Sequence, residues 1–354
     1  MKQAPGKAAA ADSIIDYLRS HGQLPEPRVT ALTGGVSGDT VLVDAAPLRI
    51  VVKRALNRLL VAGEWTAKPE RAMTEARAIE LLHSITPECT PELRHADPLA
   101  NTLVMTAAPA DWVPWKSVLL GEAPDPALGG STSTTNTSGT AKTAGGTSGT
   151  LNTASTLGAV LGTWHSRTRH DRRIAARFND YEAFEQLRIA PFHRSVAVAH
   201  PAVAGRVDEC VRELLARRDC LVHGDFSPKN VLIGPGGLMV LDFEVAHVGA
   251  AVFDLAFMQC HLVLKALHLP RRAAEMADAA QRFLRSYERA CPEPVRRLGL
   301  HTACLLLARV DGLSPAEYLL PPARQTVRHL ALSLLAADDP SATEMWDRVL
   351  RAAR

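Results

Sequence analysis

The segment Leu221–Ile233 contains the side chains best suited to chemistry. It reads Leu-Val-His-Gly-Asp-Phe-Ser-Pro-Lys-Asn-Val-Leu-Ile, in which two apolar runs flank a polar loop. This pattern predicts a strand, a loop and a second strand, with Asp225 and Asn230 in the loop. Nine residues further on, another apolar run leads into Asp242–Glu244. Strand ends in a hairpin can bring these oxygens to one point, where they suit a hard cation such as Mg²⁺ that holds phosphates.

Two regions of different character flank a low-complexity segment and must position these residues. The first is rich in β-branched runs separated by turn residues, which predicts strands, and it contains one amphipathic segment, which predicts a helix. The predicted elements are strands at Val29–Thr33, Thr40–Asp44, Leu48–Arg54, Glu92–Ala96 and Thr102–Thr106, with a helix at Pro69–His83. After residue 157 the pattern is mainly helical, interrupted by strands at Leu221–His223, Val231–Ile233 and Leu238–Phe243.

The low-complexity segment is Gly129–Thr156, in which ten of 28 residues are Thr, six are Gly and five are Ser. Such a composition buries too little apolar surface to offset the entropy of ordering, so we predict a disordered insertion. The preceding prolines move its expected start to residue 122.

Composition excludes several classes of function. The 40 Lys and Arg against 37 Asp and Glu give a net charge of only +3, which argues against nucleic acid as a partner. The N-terminus lacks the apolar core of a secretory signal, and the longest apolar stretch, Ala250–Leu269, contains five polar interruptions that argue against a membrane span. The six cysteines show no metal or disulfide spacing. We therefore predict a cytoplasmic protein with buried free thiols.

The loop His223–Asn230 resembles the catalytic loop of the aminoglycoside phosphotransferase and choline kinase family, whose members are small-molecule relatives of protein kinases. Asp242 is similar to the metal-binding Asp of that family, and Asp254 to the Asp that steadies the catalytic loop. Upstream segments also occur in the order that this family shows. The glycine-rich stretch at 34–38 comes first, then Lys53, then Glu75 in the predicted helix, and then Met105. The stretch from Val52 to Glu75 also resembles methylthioribose kinases, as does the Asp-x-Glu at Asp242.

The resemblance implies an α+β, bilobal protein-kinase-like fold with a small β-rich N-lobe and a larger, mainly helical C-lobe. The expected domains are a disordered N-terminus (1–15), an N-lobe with the nucleotide-binding sheet (16–111), a hinge-proximal segment (112–121), the disordered insertion (122–156) and a helical C-lobe with the catalytic loop (157–354). ATP and Mg²⁺ are the expected cofactors, although GTP stays open as the nucleotide. The oligomeric state is expected to be a monomer or homodimer.

The same resemblance implies a role for each candidate residue. Asp225 is the expected catalytic base. His223 is a second catalytic candidate, which we expect to act mainly by holding the loop through hydrogen bonds, and Asp254 supports the loop. The expected metal ligands are Asn230, Asp242 and Glu244. The expected nucleotide-binding residues are Gly34, Gly35, Ser37, Gly38, Lys53, Glu75 and Met105.

Several of these residues have an alternative interpretation. Glu75 faces the sheet with Ala72 and Ile79, and a carboxylate on an inward face needs a cation, for which Lys53 is the natural partner. The competing interpretation is a surface pair between Glu75 and Arg71. Glu244 could instead form a salt bridge with a nearby arginine. We interpret His165, Arg309, Arg324 and Arg328, all on helical segments, as packing or surface residues.

These features predict an ATP- and Mg²⁺-dependent kinase that phosphorylates a hydroxyl of a sugar-like or other small alcohol. The alternatives are an aminoglycoside O-phosphotransferase and a non-catalytic nucleotide-binding protein. From Leu157 to the C-terminus 26 cationic side chains face 22 acidic ones, a balance that disfavours a polycationic acceptor. The identity of the acceptor does not follow from the sequence.

Overall fold

A computed structural model describes residues 28–32, 38–45, 48–57, 66–126 and 146–354. The chain divides into two compact units. The first contains the residues up to Pro109 together with Asp242–Ala246, and the second contains Ala110–Leu241 and His247–Arg354. The predicted glycine-rich stretch at 33–37, with Gly34, Gly35 and Ser37, lies outside the described residues, as does the N-terminal segment 1–15.

The first unit contains an antiparallel sheet of five strands in the order β1-β2-β3-β5-β4. The strands are β1 (Arg28–Ala31), β2 (Gly38–Ala45), β3 (Leu48–Ala55), β4 (Leu93–Asp97) and β5 (Thr102–Thr106). Val41, Val43, Ile50, Val52 and Val104 form a buried cluster on one face, because side chains alternate between the two faces of a strand. Lys53 therefore lies on the opposite face.

One helix, α1 (Arg71–Ile85), contacts β3, β4 and β5. Its buried residues include Ala72, Glu75, Ala76, Ile79 and Leu82, which recur at the spacing of one helical face. The apolar side chains of this face pack α1 against the sheet. Glu75 lies on the same face, so its carboxylate is held against the sheet.

The second unit is mainly helical. Its helices are α2 (Trp115–Leu120), α3 (Gly146–Thr168), α4 (Arg172–Arg177), α5 (Glu182–Phe184), α6 (Ser195–Ala199), α7 (Ala204–Ala216), α8 (Val252–His268), α9 (Ala273–Ala290), α10 (Leu298–Asp311), α11 (Pro321–Leu335) and α12 (Ala342–Ala352), with a π-helix at Glu185–Arg194. The α8 helix is buried from Val252 to Leu267 and contacts α9, α10, α11 and α12. Among the described residues, no helix combines the length and the apolarity needed to cross a membrane.

Two small sheets carry the loop singled out by the sequence. They consist of β6 (Val113–Pro114), β7 (Cys220–Val222), β8 (Val231–Gly234), β9 (Gly237–Val240) and β10 (His247–Gly249). β7 pairs with β10, and β8 pairs with β6 and β9. Residues 223–230 therefore run between two anchored strands, and Pro228–Asn230 form one 3₁₀ turn at the end of the loop.

The predicted disordered segment over 122–156 is wrong at its C-terminal end, since α3 begins at Gly146 rather than near Leu157. Small residues in this stretch pack within the helix. Thr150 and Ala154 are fully buried, and Ser155 Oγ lies 2.8 Å from Ser286 Oγ on α9. Packing of this kind orders residues whose composition predicts disorder. The start of the segment also differs, since the backbone N–H groups of Glu122 and Ala123 donate to the Ser117 carbonyl of α2.

Two further predictions differ from the structure. The strand expected at Leu238–Phe243 ends at Val240, because Asp242 adopts a left-handed backbone conformation with φ of 71° that no strand allows. The helical pattern of the sequence also predicts a helix over Pro294–Val310, whereas in the structure this helix begins at Leu298. The prediction of free thiols is confirmed, since all six cysteines are buried and unpaired.

Candidate active site

Lys53 is the centre of an ionic cluster in the first unit. Its Nζ lies 2.7 Å from Glu75 Oε2, 2.5 Å from Asp242 Oδ1 and 4.0 Å from Glu244 Oε2. The predicted pair of Lys53 and Glu75 is therefore confirmed. Burial by itself would lower the pKa of Lys53, but the nearby carboxylates, Asp242 first, raise it well above the ordinary value. The lysine is firmly held as an ammonium ion.

Glu75 owes its position to the packed face of α1. The residue is only 1% exposed, and burial raises the pKa of its carboxyl to about 7 against the opposing effect of Lys53. Met105 lies on the same face of the sheet as Lys53, since it is paired with Val51, two residues away on β3. The face that carries Lys53 therefore offers one cation and an apolar surface.

Arg71 binds Glu244 rather than Glu75. Its Nε donates to Glu244 Oε2 at 3.0 Å, while its other nitrogens donate to the carbonyls of Leu56, Ala67 and Lys68. This contradicts the alternative pair of Arg71 with Glu75 and matches the arginine salt bridge considered for Glu244. Arg71 thus ties the Asp-x-Glu segment to the start of α1.

Three carboxylates of this unit form a candidate cation site. One oxygen each of Glu75, Asp242 and Glu244 lies within 4.8 Å of the others. Asp242 is the most accessible of the three, with a side chain that is 25% exposed against 1% and 6%. Its positive φ is uncommon for a residue with a Cβ and persists where the surroundings hold it. Hard oxygen ligands of this kind fit Mg²⁺.

In the second unit, Asp254 fixes the loop that carries Asp225. Its two carboxylate oxygens accept hydrogen bonds from the backbone N–H of His223 at 2.7 Å and of Gly224 at 2.9 Å. His165 Nε2 lies 3.3 Å from the same carboxylate. Burial would raise the pKa of Asp254, but the hydrogen bond from His165 and its neighbours lower it. The buried carboxylate is an anchor, as the resemblance implied.

His223 holds the loop from the inside. Its Nδ1 accepts the backbone N–H of Asp225 at 3.1 Å, so Nε2 carries the proton and donates to the Leu241 carbonyl at 3.1 Å. A neutral imidazole with both nitrogens engaged has no free site for proton transfer. His223 is therefore a structural residue here.

Asp225 is buried and lies between two cations. Lys229 Nζ is 2.8 Å and Arg188 Nη2 is 3.0 Å from Asp225 Oδ2. The Asn230 amide donates to the Asp225 backbone carbonyl at 3.0 Å, which leaves its own side-chain oxygen for another ligand. The loop thus presents a fixed carboxylate, an amide oxygen and Lys229, whose side chain is 47% exposed.

The predicted site residues gather in these two sets. Lys53, Glu75, Asp242 and Glu244 form one, with Met105 on the same sheet face; His223, Asp225, Asn230 and Asp254 form the other. Gly38 begins β2, where a Cβ would lie 2.8 Å from the Arg54 carbonyl oxygen. Gly38 is therefore required by strand packing.

Sequence reasoning missed two residues of the second set. Arg188 lies in the π-helix, a form that no periodic pattern announced, and its Nε also donates to the Gly224 carbonyl. His165 was interpreted as a packing residue but binds Asp254 and the Tyr287 hydroxyl. Only its place at i+4 from Leu161 on the buried face of α3 could have signalled that a polar partner was required.

Comparisons with known proteins agree with this geometry. The "Phosphotransferase enzyme family" profile matches residues 139–296, a range that includes the Asp225 loop, Asp242 and Asp254. "Methylthioribose kinase 2" of Oryza sativa subsp. japonica is 25% identical over 282 residues, covering 71% of this chain and 62% of the relative. The chain thus spans less than two thirds of the length of that relative.

Two solved structures share the fold. A microcompartment-associated aminopropanol kinase superposes with a TM-score of 0.53 at 15% identity, covering 96% of this chain and 99% of that one. A Ralstonia eutropha protein provisionally named as an aminoglycoside phosphotransferase gives 0.51 at 14% identity, covering 96% and 98%. The α+β kinase-like fold is thereby confirmed, and so is the resemblance to the aminoglycoside phosphotransferase and choline kinase family predicted from the sequence.

Proposed function

We propose that this protein is an ATP- and Mg²⁺-dependent kinase that transfers the γ-phosphoryl group to a hydroxyl of a small acceptor. The single observation that carries the proposal is the fixed carboxylate of Asp225. Asp254 and His223 accept hydrogen bonds from the backbone N–H groups of residues 223–225, and two cations, Arg188 and Lys229, contact the carboxylate. A carboxylate held in this way is prepared to accept a proton from a bound hydroxyl.

The proposed reaction needs a group that accepts the hydroxyl proton and positively charged groups that stabilise the phosphoryl oxygens. The hydroxyl oxygen of the acceptor forms a bond to the γ-phosphorus as the bond from that phosphorus to the β-bridging oxygen breaks, which yields a phosphate ester and ADP. The hydroxyl proton passes to Asp225 and then to solvent. Since such a transition state spreads charge over phosphoryl oxygens, most of the acceleration comes from positioning and electrostatic stabilisation.

The residues of the first unit suit the nucleotide. Lys53 is a buried ammonium that can bind phosphate oxygens, and Glu75 holds it in place. Asp242 is the proposed Mg²⁺ ligand of this unit, with Glu244 as a further candidate that Arg71 already engages. Bound Mg²⁺ neutralises charge on the phosphates. Met105 lies on the same sheet face, and we assign it to the nucleotide as an apolar contact.

Thermal unfolding with nucleotides tests the binding step. Mg-ATP should raise the unfolding temperature further as its concentration increases, whereas ATP with excess chelator should give a smaller shift. Mg-GTP in parallel decides between the two nucleotides. An absent shift with both nucleotides would contradict the proposal.

Release of ADP with a panel of alcohols, sugars and aminoglycosides tests the transfer step. Asp225→Asn should abolish release above background while the Mg-ATP shift remains. Glu275→Gln is a matched control, because Glu275 is likewise a carboxylate bound by an arginine, Arg272, but it is only half-buried and lies on α9. Retained transfer in Asp225→Asn would remove Asp225 from its role. Nucleotide binding without transfer to any acceptor would favour a non-catalytic protein.

A further inference from the structure

A buried lysine lies in the core of the second unit, and no carboxylate of the described residues forms a salt bridge with it. Lys265 on α8 is 1% exposed, and its only hydrogen bond to the described residues, at 3.3 Å, goes to the His261 carbonyl one turn earlier. His261 is 7% exposed and its ring has no hydrogen-bond partner among the described residues. Buried charges in proteins are normally paired, so an isolated one needs a reason.

Three more polar groups converge on Lys265. The Tyr318 ring lies 5.7 Å from Lys265 Nζ and 5.7 Å from Lys116 Nζ, while its hydroxyl, in the part of the chain that the structure describes, has no partner. On α10, Arg309 Nη1 donates to Ser314 and the guanidinium lies 5.9 Å from the Phe192 ring, while its Nε is buried without a hydrogen-bond partner among the described residues. We call Lys116, His261, Lys265, Arg309 and Tyr318 the cation cluster.

Carboxylates are scarce around this cluster. Within the described ranges, none of Lys116, Lys265 and Arg309 forms a salt bridge. The exposed Glu122 is an acidic side chain that acts on Lys265, but more weakly than Lys116 or Arg309 does. Burial, then Lys116, lowers the pKa of Lys265 to about 7, and burial with four nearby cations lowers that of His261. The cluster therefore contains several hydrogen-bond donors and positive charges, with few acceptors and few negative charges close to them.

The cluster is adjacent to the Asp225 loop. The Arg188 guanidinium, which contacts Asp225, lies 5.6 Å from the Phe257 ring, and that ring lies 5.3 Å from the His261 ring. Lys229, the other cation on Asp225, is one of the four cations that act on His261. One layer of aromatic side chains therefore separates the cluster from the proposed base.

We propose that the cation cluster binds an anionic group of the acceptor, a carboxylate or a phosphate, so that the substrate is a small hydroxylated acid. The inference rests on the proposed kinase function, since only then does a hydroxyl have to reach Asp225. An anion placed between Lys265 and Arg309 supplies the missing charge and gives partners to Tyr318 and His261. A polycationic aminoglycoside would add charge of the wrong sign.

Binding of matched acids and alcohols without nucleotide tests the site directly. The pairs are glycerate with glycerol and gluconate with sorbitol, and glycerol 3-phosphate separates a phosphate from a carboxylate. By isothermal titration at low salt, at least one acid should bind about tenfold more tightly than its neutral partner, and added salt should weaken it.

Variants then assign that binding to the cluster. Lys265→Met and Arg309→Gln should each weaken the acid about tenfold or more, and Tyr318→Phe, which removes only an unpartnered hydroxyl, should weaken it less. Arg285→Gln is the control, because Arg285 is exposed on α9 and should leave the affinity unchanged. Equal affinity for acids and alcohols, or a loss no greater in Lys265→Met than in Arg285→Gln, overturns the inference.

Separate readouts distinguish this failure from failure of the kinase proposal. ADP release with an acid that binds through the cluster supports both. A Mg-ATP shift with transfer only to neutral alcohols keeps the kinase and overturns the anionic acceptor. Acid binding with neither a Mg-ATP shift nor ADP release refutes the kinase and, with it, the role of the cluster in acceptor binding.

Discussion

Arg188 binds two consecutive residues of the proposed catalytic loop. Its Nη2 lies 3.0 Å from the Asp225 carboxylate, and its Nε donates to the Gly224 carbonyl at 2.7 Å. Because Gly224 has a φ of 77°, this contact also holds a backbone conformation that few residues adopt. One guanidinium therefore sets both the direction of the carboxylate and the shape of the loop.

Replacing Arg188 by Lys should distinguish the effect of its positive charge from the effect of its two simultaneous contacts. The ammonium keeps the positive charge but cannot reach carboxylate and carbonyl together, so we expect kcat to fall by about 10- to 100-fold. The KM for ATP should change little, because the loss lies in positioning of the base. Steady-state kinetics of ADP release measures both constants.

Arg194→Lys is the matched control for that variant. Arg194 lies in the same π-helix, is exposed and binds Glu185 through its Nε at 2.7 Å. Its replacement should leave kcat within about twofold, as expected for a surface pair. Equal losses in the two variants would mean that the π-helix, and not the contact with Asp225, determines the rate.

Replacing Asp254 by Asn should destabilise the second unit. The amide keeps one oxygen acceptor but presents NH2 to the other backbone N–H, which leaves buried donors unsatisfied at a cost of about 2–4 kcal/mol. Since the pKa of Asp254 is lowered in the folded state, its stabilising contribution is present above the ordinary value of 3.8 and is lost as the pH falls through the folded value. Urea unfolding should therefore show a difference between wild type and variant that shrinks in acid. An equal difference at pH 3 and pH 7 would contradict the ionised anchor.

Lys53 and Glu75 should be coupled in a double-mutant cycle. Lys53→Met leaves three carboxylates beside Arg71 and should cost about 3–5 kcal/mol, because buried charges lose their partner. Adding Glu75→Gln should restore part of that stability while the response to Mg-ATP stays lost. Additive losses, measured by urea unfolding, would show that the two side chains act independently.

The residues of the candidate site could largely be predicted because each lies beside a strong local signal. Lys53 follows three apolar residues in a strand, Glu75 interrupts an apolar helical stripe, and Asp225 occurs in a dense loop motif. Arg188 could not be found in this way. A π-helix with an internal Pro191 has no repeating pattern, so its direction depends on the surrounding helices rather than on its own residues.

Long-range packing explains the other errors. The start of α3 has a composition typical of disorder, yet its Ser155 contacts Ser286 on α9, a helix more than a hundred positions away. The cation cluster was overlooked for the same reason. Lys265 and Arg309 lie on separate helices, α8 and α10, and Tyr318 lies in the loop that follows α10, so only the folded chain brings them together.

Replacing Lys265 by Met should stabilise the free protein. The pKa of this lysine is lowered to about 7 by burial and by Lys116 and Arg309, with Cys260 and Glu122 acting in the opposite direction. The unfolded chain therefore binds more protons than the folded chain between pH 7 and 10.5, and wild-type stability rises with pH through that window. The gain from Met should be largest at and below pH 7, on the order of a few kcal/mol, and should vanish towards pH 10.5.

Urea unfolding at pH 6, 8 and 10 checks this sign. The control Arg282→Met, on the exposed face of α9, should change the free energy of unfolding by no more than about 0.5 kcal/mol at each pH. A variant less stable than wild type at pH 6 would mean that Lys265 has a partner and serves the fold. A variant more stable than wild type but unable to bind an acid would mean that the chain retains an unfavourable buried charge because an anionic ligand completes it.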